Sequence, residues 1–214
     1  MTTAPAFDDD FREQLSELIG WRRDVRHFRT DPLPEQDVEE LLRLAQLAPS
    51  VGNSQPWRFV RVRSTGLRDA IARHVDDEAC LAGRRYDDPE RQSAYKALKL
   101  HGLREAPEAI AVFCDDETML GAGLGAATMP EARQYSVVLA IGTLWLAARA
   151  RGIALGWVSI LDPDTVTKLL AVSPTWRLIA LLCLGFPVKY DDRPELERRG
   201  WQARVNWTEN VSVR

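Results

Sequence analysis

The chain of 214 residues has little cysteine and little histidine, three of each. Cys80, Cys114 and Cys183 lie far apart and form no CxxC pair, so neither a zinc ribbon nor a redox dithiol is predicted. We therefore expect no metal site, and three reduced thiols of this kind are typical of a cytosolic protein.

Long uninterrupted hydrophobic runs are also missing. The most apolar helical stretch, 137–150, is interrupted by Gly142 and Thr143 and is too short to span a bilayer of about 30 Å. The first ten residues are acidic and lack the apolar segment of a signal peptide. The sequence therefore predicts a cytoplasmic protein with no membrane partner.

An excess of positive charge is absent, because the formal net charge is -3. This balance argues against nucleic acid as a partner. No internal repeat or linker divides the chain, and its length suits one domain. We expect a single domain over 1–214, with an extended C-terminal tail from about residue 190. Such a chain is short for an oxidoreductase with separate nicotinamide and substrate domains.

Hydrophobic periodicity and turn residues predict an α+β fold in which helices surround a small sheet. The N-terminal signals of helices are caps at Asp8–Asp10, Thr65, Asp88 and Asp162, and prolines at Pro34 and Pro130. Strands are predicted over 57–63, 109–114, 153–160 and 178–184. The helix after Pro130 has so little polar surface that we expect it to be central and buried against another chain.

The stretch Gly121–Ala126 fits the pattern G-x-G-x-x-G/A of dinucleotide-binding proteins. That pattern needs a strand directly before it, a helix directly after it and an acidic residue about twenty positions later. Here six residues separate the stretch from Cys114, Pro130 delays the helix, and the positions about twenty residues later are apolar. A mobile loop or lid is the better interpretation, because glycine-rich backbone moves at little cost.

Two further segments are rich in polar groups. Arginines cluster at Arg22, Arg23, Arg26 and Arg29. They could form a solvated edge, a phosphate site or, less favourably, a nucleic-acid patch, and composition alone leaves this open. The loop 48–57 could meet the polar edge of a ring or could be an ordinary connection.

Together the two segments resemble the FMN-dependent nitroreductase family. The shared patterns are Arg-Arg-x-x-Arg-x-Phe at 22–28 and Ala-Pro-Ser-x-x-Asn-x-Gln-Pro-Trp at 48–57. Asp24 stands where ordinary nitroreductases usually have serine, whereas Asn53 is typical of them. The segments 105–107, 128–131, 144–148, 156–162, 194–197 and 200–201 resemble a subgroup of the family that consumes its flavin, so the resemblance covers about 11–204.

The resemblance implies a nitroreductase-like three-layer sandwich around a mostly antiparallel sheet, in an intertwined homodimer that shares two flavin sites. Arg22, Arg23 and Arg26 would hold the FMN phosphate and ribityl chain. Pro49 and Ser50 would reach the flavin seated mainly on the partner chain. The other implied cofactor contacts are Asp24, Val25, Lys99, Ser159, Ile160 and Arg204.

For that subgroup, the implied substrate is reduced FMN, with O2 as co-substrate and a separate flavin reductase as electron supplier. The products would be 5,6-dimethylbenzimidazole, the lower base of vitamin B12, and erythrose 4-phosphate. Asp24 would accept a proton near the ribityl–ring junction, and the Ser159 hydroxyl would lie where oxygen reacts with the ring. Without the resemblance, Asp24 reads as a salt-bridge partner of a neighbouring arginine and Ser159 as a core hydroxyl.

Two other functions remain open at this point. An ordinary NAD(P)H-dependent FMN nitroreductase or quinone reductase would recycle its flavin, and a flavin-storage protein would leave it intact. A lid formed by Gly121–Glu131 would favour the flavin-consuming activity, since it would exclude water and leave no space for nicotinamide.

Overall fold

The computed structural model describes residues 3–214. Its order of elements is α1 (Asp9–Trp21), α2 (Glu35–Ala45), β1 (Trp57–Arg61), α3 (Thr65–Gly83), α4 (Pro89–Lys96), β2 (Glu108–Asp115), α5 (Ala132–Ala150), β3 (Ala154–Val158), α6 (Pro163–Leu170), β4 (Trp176–Gly185) and α7 (Glu195–Arg198). Short 3₁₀ turns lie at Val51–Asn53, Leu120–Gly123 and Trp207–Asn210.

The four strands form one antiparallel sheet in the order β1-β2-β4-β3. The central pair is β2 and β4, with Ala111 opposite Leu181. Both strands are long apolar runs because helices cover the sheet on its two faces. Strand β3 is left at one edge, where another segment can pair with it.

Two hydrophobic cores lie on opposite faces of this sheet. One contains Leu41 of α2 with Ile141 and Leu144 of α5. The other contains Val75 of α3 and Val166 of α6. This helix–sheet–helix arrangement confirms the predicted α+β three-layer fold. Among residues 3–214, no helix combines the length and apolar character needed to cross a membrane.

Several predicted boundaries needed correction. The cap of α3 is Ser64, whose Oγ accepts from Leu67 N, and Thr65 is the first helical residue. Helix α5 begins at Ala132, two residues after Pro130. Strand β3 ends at Val158, so Ser159 and Ile160 follow it, and the tail contains α7 and a 3₁₀ turn. Side-chain caps formed by Asp8, Asp88 and Asp162 agree with the sequence.

One apolar surface stays uncovered in the single chain. Helix α1 buries no residue, although it lies against α5. Six apolar side chains of α1 and of the outward side of α5 are between 39% and 58% exposed; they are Phe11, Leu15, Ile19, Tyr135, Val138 and Leu139. We call these six residues the open face.

Candidate functional site

The segment 22–28 runs beside the free edge of strand β3. Asp24 forms an isolated parallel bridge with Leu155, and the Val25 N–H donates to the Leu155 carbonyl oxygen at 3.0 Å. A Cβ on Gly156 would lie only 2.0 Å from the Val25 carbonyl oxygen. Glycine at 156 is therefore what allows the arginine-rich segment to pair with this edge.

The Asp24 carboxylate is held at two points. Its Oδ1 accepts from Trp157 N at 2.8 Å, and its Oδ2 accepts from Arg26 Nη2 at 2.6 Å. Burial raises the pKa of the Asp24 carboxyl above its ordinary value, whereas Arg26 and the Trp157 N–H oppose that rise. The salt bridge expected from the sequence alone is thus present, and the same carboxylate also lines a cavity.

Ser159 and Ile160 directly follow strand β3. Ser159 is exposed, so the interpretation of its hydroxyl as a core group is wrong, and Ile160 is half-buried. Ser159 lies two residues beyond Trp157, which corresponds to about 7 Å of extended chain. Asp24 pairs with β3 at Leu155, and Ser159 follows the C-terminal end of the same edge strand; neither Ser159 nor Ile160 lines the cavity that contains Asp24.

A cavity of about 270 Å³ extends from this segment toward the C-terminal half of α5 and the tail. Eight arginine and lysine side chains but only three carboxylates line it, in a chain whose net charge is negative. The cationic residues are Arg22, Arg23, Arg26, Arg149, Lys189, Arg193, Arg198 and Arg199, and the carboxylates are Asp24, Asp191 and Glu195. Such a lining favours an anionic ligand.

Arg23 is the cluster member with a buried donor that has no partner among the described residues. Its Nη1 donates to the Arg22 carbonyl at 2.7 Å and its Nη2 to the Asp192 carbonyl, but its Nε is buried with no partner among residues 3–214. Burial, followed by the charges of Arg204 and Arg22, lowers the pKa of Arg23. Arg204 therefore lies near the cluster. A bound phosphate would accept a hydrogen bond from the unpartnered Arg23 Nε and would reduce the repulsion between the arginines.

The remaining arginines divide between cavity and solvent. The Arg22 guanidinium lies 4.7 Å from the centre of the Trp145 ring, a cation–π contact. Arg29 points outward and pairs with Asp31 at 2.8 Å. A simple solvated edge accounts for Arg29 but not for the other three arginines, which are half-buried.

Lys99 lies in a different place from the arginine cluster. It pairs with Glu105 at 2.8 Å and lines a separate cavity of about 280 Å³ that also includes Asp76, His101 and Arg104. The two carboxylates of this cavity, Asp76 and Glu105, balance its two basic side chains, Lys99 and Arg104. Asp76 bonds to both His101 and Arg104. In this single chain, Lys99 is thus not one of the residues around Asp24.

Pro49 and Ser50 lie near the opposite end of α5. The Val51 N–H donates to Ser136 Oγ at 3.0 Å, and the Gln55 N–H donates to Ser50 Oγ at 3.1 Å. Ser136 is in the first turns of α5, whereas the arginine cavity adjoins Arg149 near its last turn. At 1.5 Å per residue, this separation is about 20 Å.

The glycine-rich stretch packs against the loop that follows Ser50. A Cβ on Gly121 would lie 2.4 Å from the Gly52 carbonyl oxygen, and both glycines have positive φ. Its apolar side chains point outward, with Met119 88% and Leu124 75% exposed. The stretch is a loop, as the sequence predicted, and it adjoins one of the predicted flavin-binding segments.

Sequence reasoning named Arg204 in the tail but missed the contributions of Tyr190 and Glu195. The Glu195 carboxylate lies 3.3 Å from His27 Nε2 and 3.9 Å from Arg26 Nη1. The Tyr190 hydroxyl donates to the Gly152 carbonyl at 2.7 Å. These contacts join positions that are far apart in sequence, and the only hint of them was the resemblance over 194–197.

Comparisons with known proteins identify the family of this chain. The model of the nitroreductase family matches residues 19–186. The chain is 59% identical over 206 residues to a 5,6-dimethylbenzimidazole synthase of Rhodospirillum rubrum, with 95% of this chain and 96% of that protein covered. It is 46% identical over 199 residues to a synthase of the same name from Rhodobacter capsulatus, with 93% and 96% covered.

A similar solved structure supports the assignment to the nitroreductase family. Oxidised iodotyrosine deiodinase, solved with FMN and 3-iodo-L-tyrosine bound, superimposes with a TM-score of 0.73 at 26% identity, covering 94% of this chain and 97% of that one. The match to the family model extends from the arginine-rich segment to the end of strand β4. The chain belongs to the nitroreductase family.

Proposed function

We propose that this protein fragments reduced FMN in an O2-dependent reaction, with 5,6-dimethylbenzimidazole and erythrose 4-phosphate as products. The observation that carries the proposal is the 59% identity, over nearly the full chain, to a protein named for that synthase activity. The position of Asp24 supports it, because a carboxylate replaces the usual serine at the centre of the site.

The residues of the cavity suit the phosphate end of FMN. Arg22, Arg23 and Arg204 supply charge-assisted donors, and the unpartnered Arg23 Nε is available to an anion. Arg26 and Val25 continue this lining toward the ribityl chain. When bound, reduced FMN supplies both the electrons that oxygen takes up and the carbon skeleton of the new base.

Asp24 and Ser159 suit the reactive end. The Asp24 carboxylate accepts the proton lost near the ribityl–ring junction, and the bond from Trp157 N fixes the direction in which it points. Ser159, exposed just beyond β3, supplies a hydroxyl donor and acceptor where oxygen meets the ring. Ile160 provides an apolar contact beside it.

We also propose that the working unit is a homodimer. Pro49 and Ser50 lie about 20 Å along α5 from the arginine cavity, so one chain presents the two halves of the predicted site at separate places. Two copies packed through the open face, with their α5 helices antiparallel, bring the loop of one to the arginines of the other. The same contact covers exposed apolar side chains of α1 and α5.

Electrons would come from a separate flavin reductase, with no nicotinamide bound by this chain. Closure of the loop at 119–129 over the flavin would leave no space for a nicotinamide and would keep bulk water out. All three cysteines are free thiols, which suits the reducing cytoplasm as the place of this reaction.

The deciding experiment mixes purified protein with chemically reduced FMN and air and analyses the small molecules by mass spectrometry. We expect 5,6-dimethylbenzimidazole and erythrose 4-phosphate in equal amounts, and negligible oxidation of NADH or NADPH in the absence of a reductase. Quantitative recovery of intact FMN would overturn the proposal.

The alternative is an NAD(P)H-dependent nitroreductase, and Asn53 was its best support. The structure gives Asn53 another explanation, since its φ is 53°, in the left-handed region that asparagine tolerates better than most residues. Backbone geometry thus accounts for the residue without a catalytic role. Rapid consumption of NAD(P)H with recyclable FMN would favour the alternative.

A further inference from the structure

Glu195 is the most enclosed carboxylate of the C-terminal tail, with its side chain only 10% exposed. It lies on α7, a helix of four residues, and two arginines and a histidine surround it. These are His27 Nε2 at 3.3 Å, Arg199 Nε at 3.8 Å and Arg26 Nη1 at 3.9 Å. A carboxylate enclosed in this way fixes the groups around it more than it interacts with water.

Arg26 therefore lies between two carboxylates. Its Nη2 donates to Asp24 Oδ2 at 2.6 Å, and its Nη1 faces Glu195 Oε2 from the other side. The guanidinium is planar and rigid, so a hydrogen bond to Asp24 on one side and the Glu195 charge 3.9 Å away on the other favour one orientation. Asp24 in turn is fixed by Arg26 and by Trp157 N, which makes a chain of contacts from the tail to the proposed proton acceptor.

We propose that Glu195 is a positioning residue for the reaction: it holds Arg26 against Asp24 and adds its negative charge to the surroundings of that carboxylate. This inference rests on the proposed function. It adds a second role for the tail, beside the proposed contact of Arg204 with the cofactor. Glu195 touches no reacting atom in this scheme and acts only through Arg26 and Asp24.

The charges around Asp24 determine the direction in which its pKa should change when Glu195 loses its charge. The charged groups that face Asp24 are Arg26, Arg22 and Glu195, and the neutral Cys183 thiol lies nearby. Burial is the main cause of the raised pKa of Asp24, and the Glu195 charge raises it further. Removing that charge must therefore lower the pKa of Asp24, because its ionised form is then less disfavoured.

Two variants separate orientation from charge. Glu195→Gln keeps the shape of the side chain and removes its charge, so the acid limb of the pH profile for product formation should move to lower pH. The Kd for oxidised FMN should stay within about twofold of wild type. Glu195→Ala also frees Arg26 and His27, so its Kd should rise at least about fivefold. Glu209→Gln, the same charge change at an exposed tail position, is the control and should match wild type in both measurements.

His27 needs its own control because it also contacts Glu195. The pH shift caused by Glu195→Gln should persist in a His27→Gln background. Superimposable pH profiles of wild type and Glu195→Gln, or a shift that disappears with His27, would overturn the inference about Asp24. An unchanged Kd in Glu195→Ala would overturn the role in holding Arg26. If wild type forms no benzimidazole, the proposed function fails, and the Kd measurements still decide whether Glu195 holds Arg26.

Discussion

The two predicted halves of the flavin site are held in place by different forces. At the β3 edge, the segment 22–28 is fixed by a carboxylate, arginines and hydrogen bonds, with Asp24 at the centre. At the other end of α5, the loop 49–55 is fixed by close backbone approach, as between Gly52 and Gly121. The first half should therefore respond to charge and pH as well as to side-chain volume at Gly156, and the second chiefly to side-chain volume.

Asp24→Asn should produce the largest effect. Loss of a general base commonly lowers a rate by 10²–10⁴-fold, so we expect product formation to fall at least about 100-fold. Binding of FMN should persist, since the arginines remain. The change also removes an ionised group that burial disfavours, so the fold should survive.

The matched control is Asp31→Asn, which breaks the exposed pair with Arg29 and should leave the rate unchanged. In wild type, activity should fall as pH drops through the pKa of Asp24, which lies above that of an ordinary aspartate. Near-wild-type turnover in Asp24→Asn, measured by chromatography of the product, would remove Asp24 from the mechanism.

Gly156→Ala should come next, because its Cβ would overlap the Val25 carbonyl. The arginine-rich segment must then leave the β3 edge, and we expect FMN to bind at least about tenfold more weakly. Gly66→Ala is the control, since its Cβ would meet only Ser64 Oγ at 3.9 Å. Equal affinities in the two variants, measured by calorimetry, would show that the pairing does not position the site.

Leu139→Glu tests whether two chains complete the site. A charge on the open face should shift the protein toward monomer and weaken FMN binding severalfold, because burying an unpaired charge is unfavourable. Leu81→Glu adds the same charge to an exposed position of α3 and should leave both properties unchanged. Sedimentation velocity measures the oligomeric state, and flavin titration measures the affinity for FMN. A variant that stays dimeric but binds FMN differently would argue against the proposed packing.

Gly121→Ala should have the smallest effect, confined to the loop half. Gly121 and Gly123 both have positive φ, but only at Gly121 would a Cβ also meet backbone, 2.4 Å from the Gly52 carbonyl. Gly123→Ala therefore carries the φ strain alone, about 1 kcal/mol, and Gly121→Ala should cost about 1–2 kcal/mol more. Thermal denaturation should resolve a difference of several degrees in Tm, and identical midpoints would contradict the close packing.

Much of the fold could be predicted, because local signals and long-range packing agree in the core. The caps at Asp8, Asp88 and Asp162 and the apolar runs of β2 and β4 gave elements close to those observed. The predicted ends of elements were wrong by a few residues where an end depends on contacts with a neighbouring strand or helix. Ser159, for example, reads as part of a strand, but β3 ends where its pairing with β4 ends.

The site was predictable only in part. Arg22, Arg23 and Asp24 do line one cavity, whereas Lys99 lines another, because a chain position says nothing about which side of the sheet a loop reaches. Glu195 could not be found by periodicity, since α7 is a single turn whose contacts are with residues about 170 positions away.

By itself, the sequence determined the fold class, the two apolar strands of the core and the resemblance that two spaced patterns carry. These depend on local propensity and on hydrophobic burial, which the order of residues encodes directly. Only the tertiary structure decided that Asp24 pairs with the β3 edge, that Gly156 permits it, and that the loop at Pro49 lies a helix length away. Those outcomes depend on contacts between distant segments, and such contacts exist only once the chain has packed.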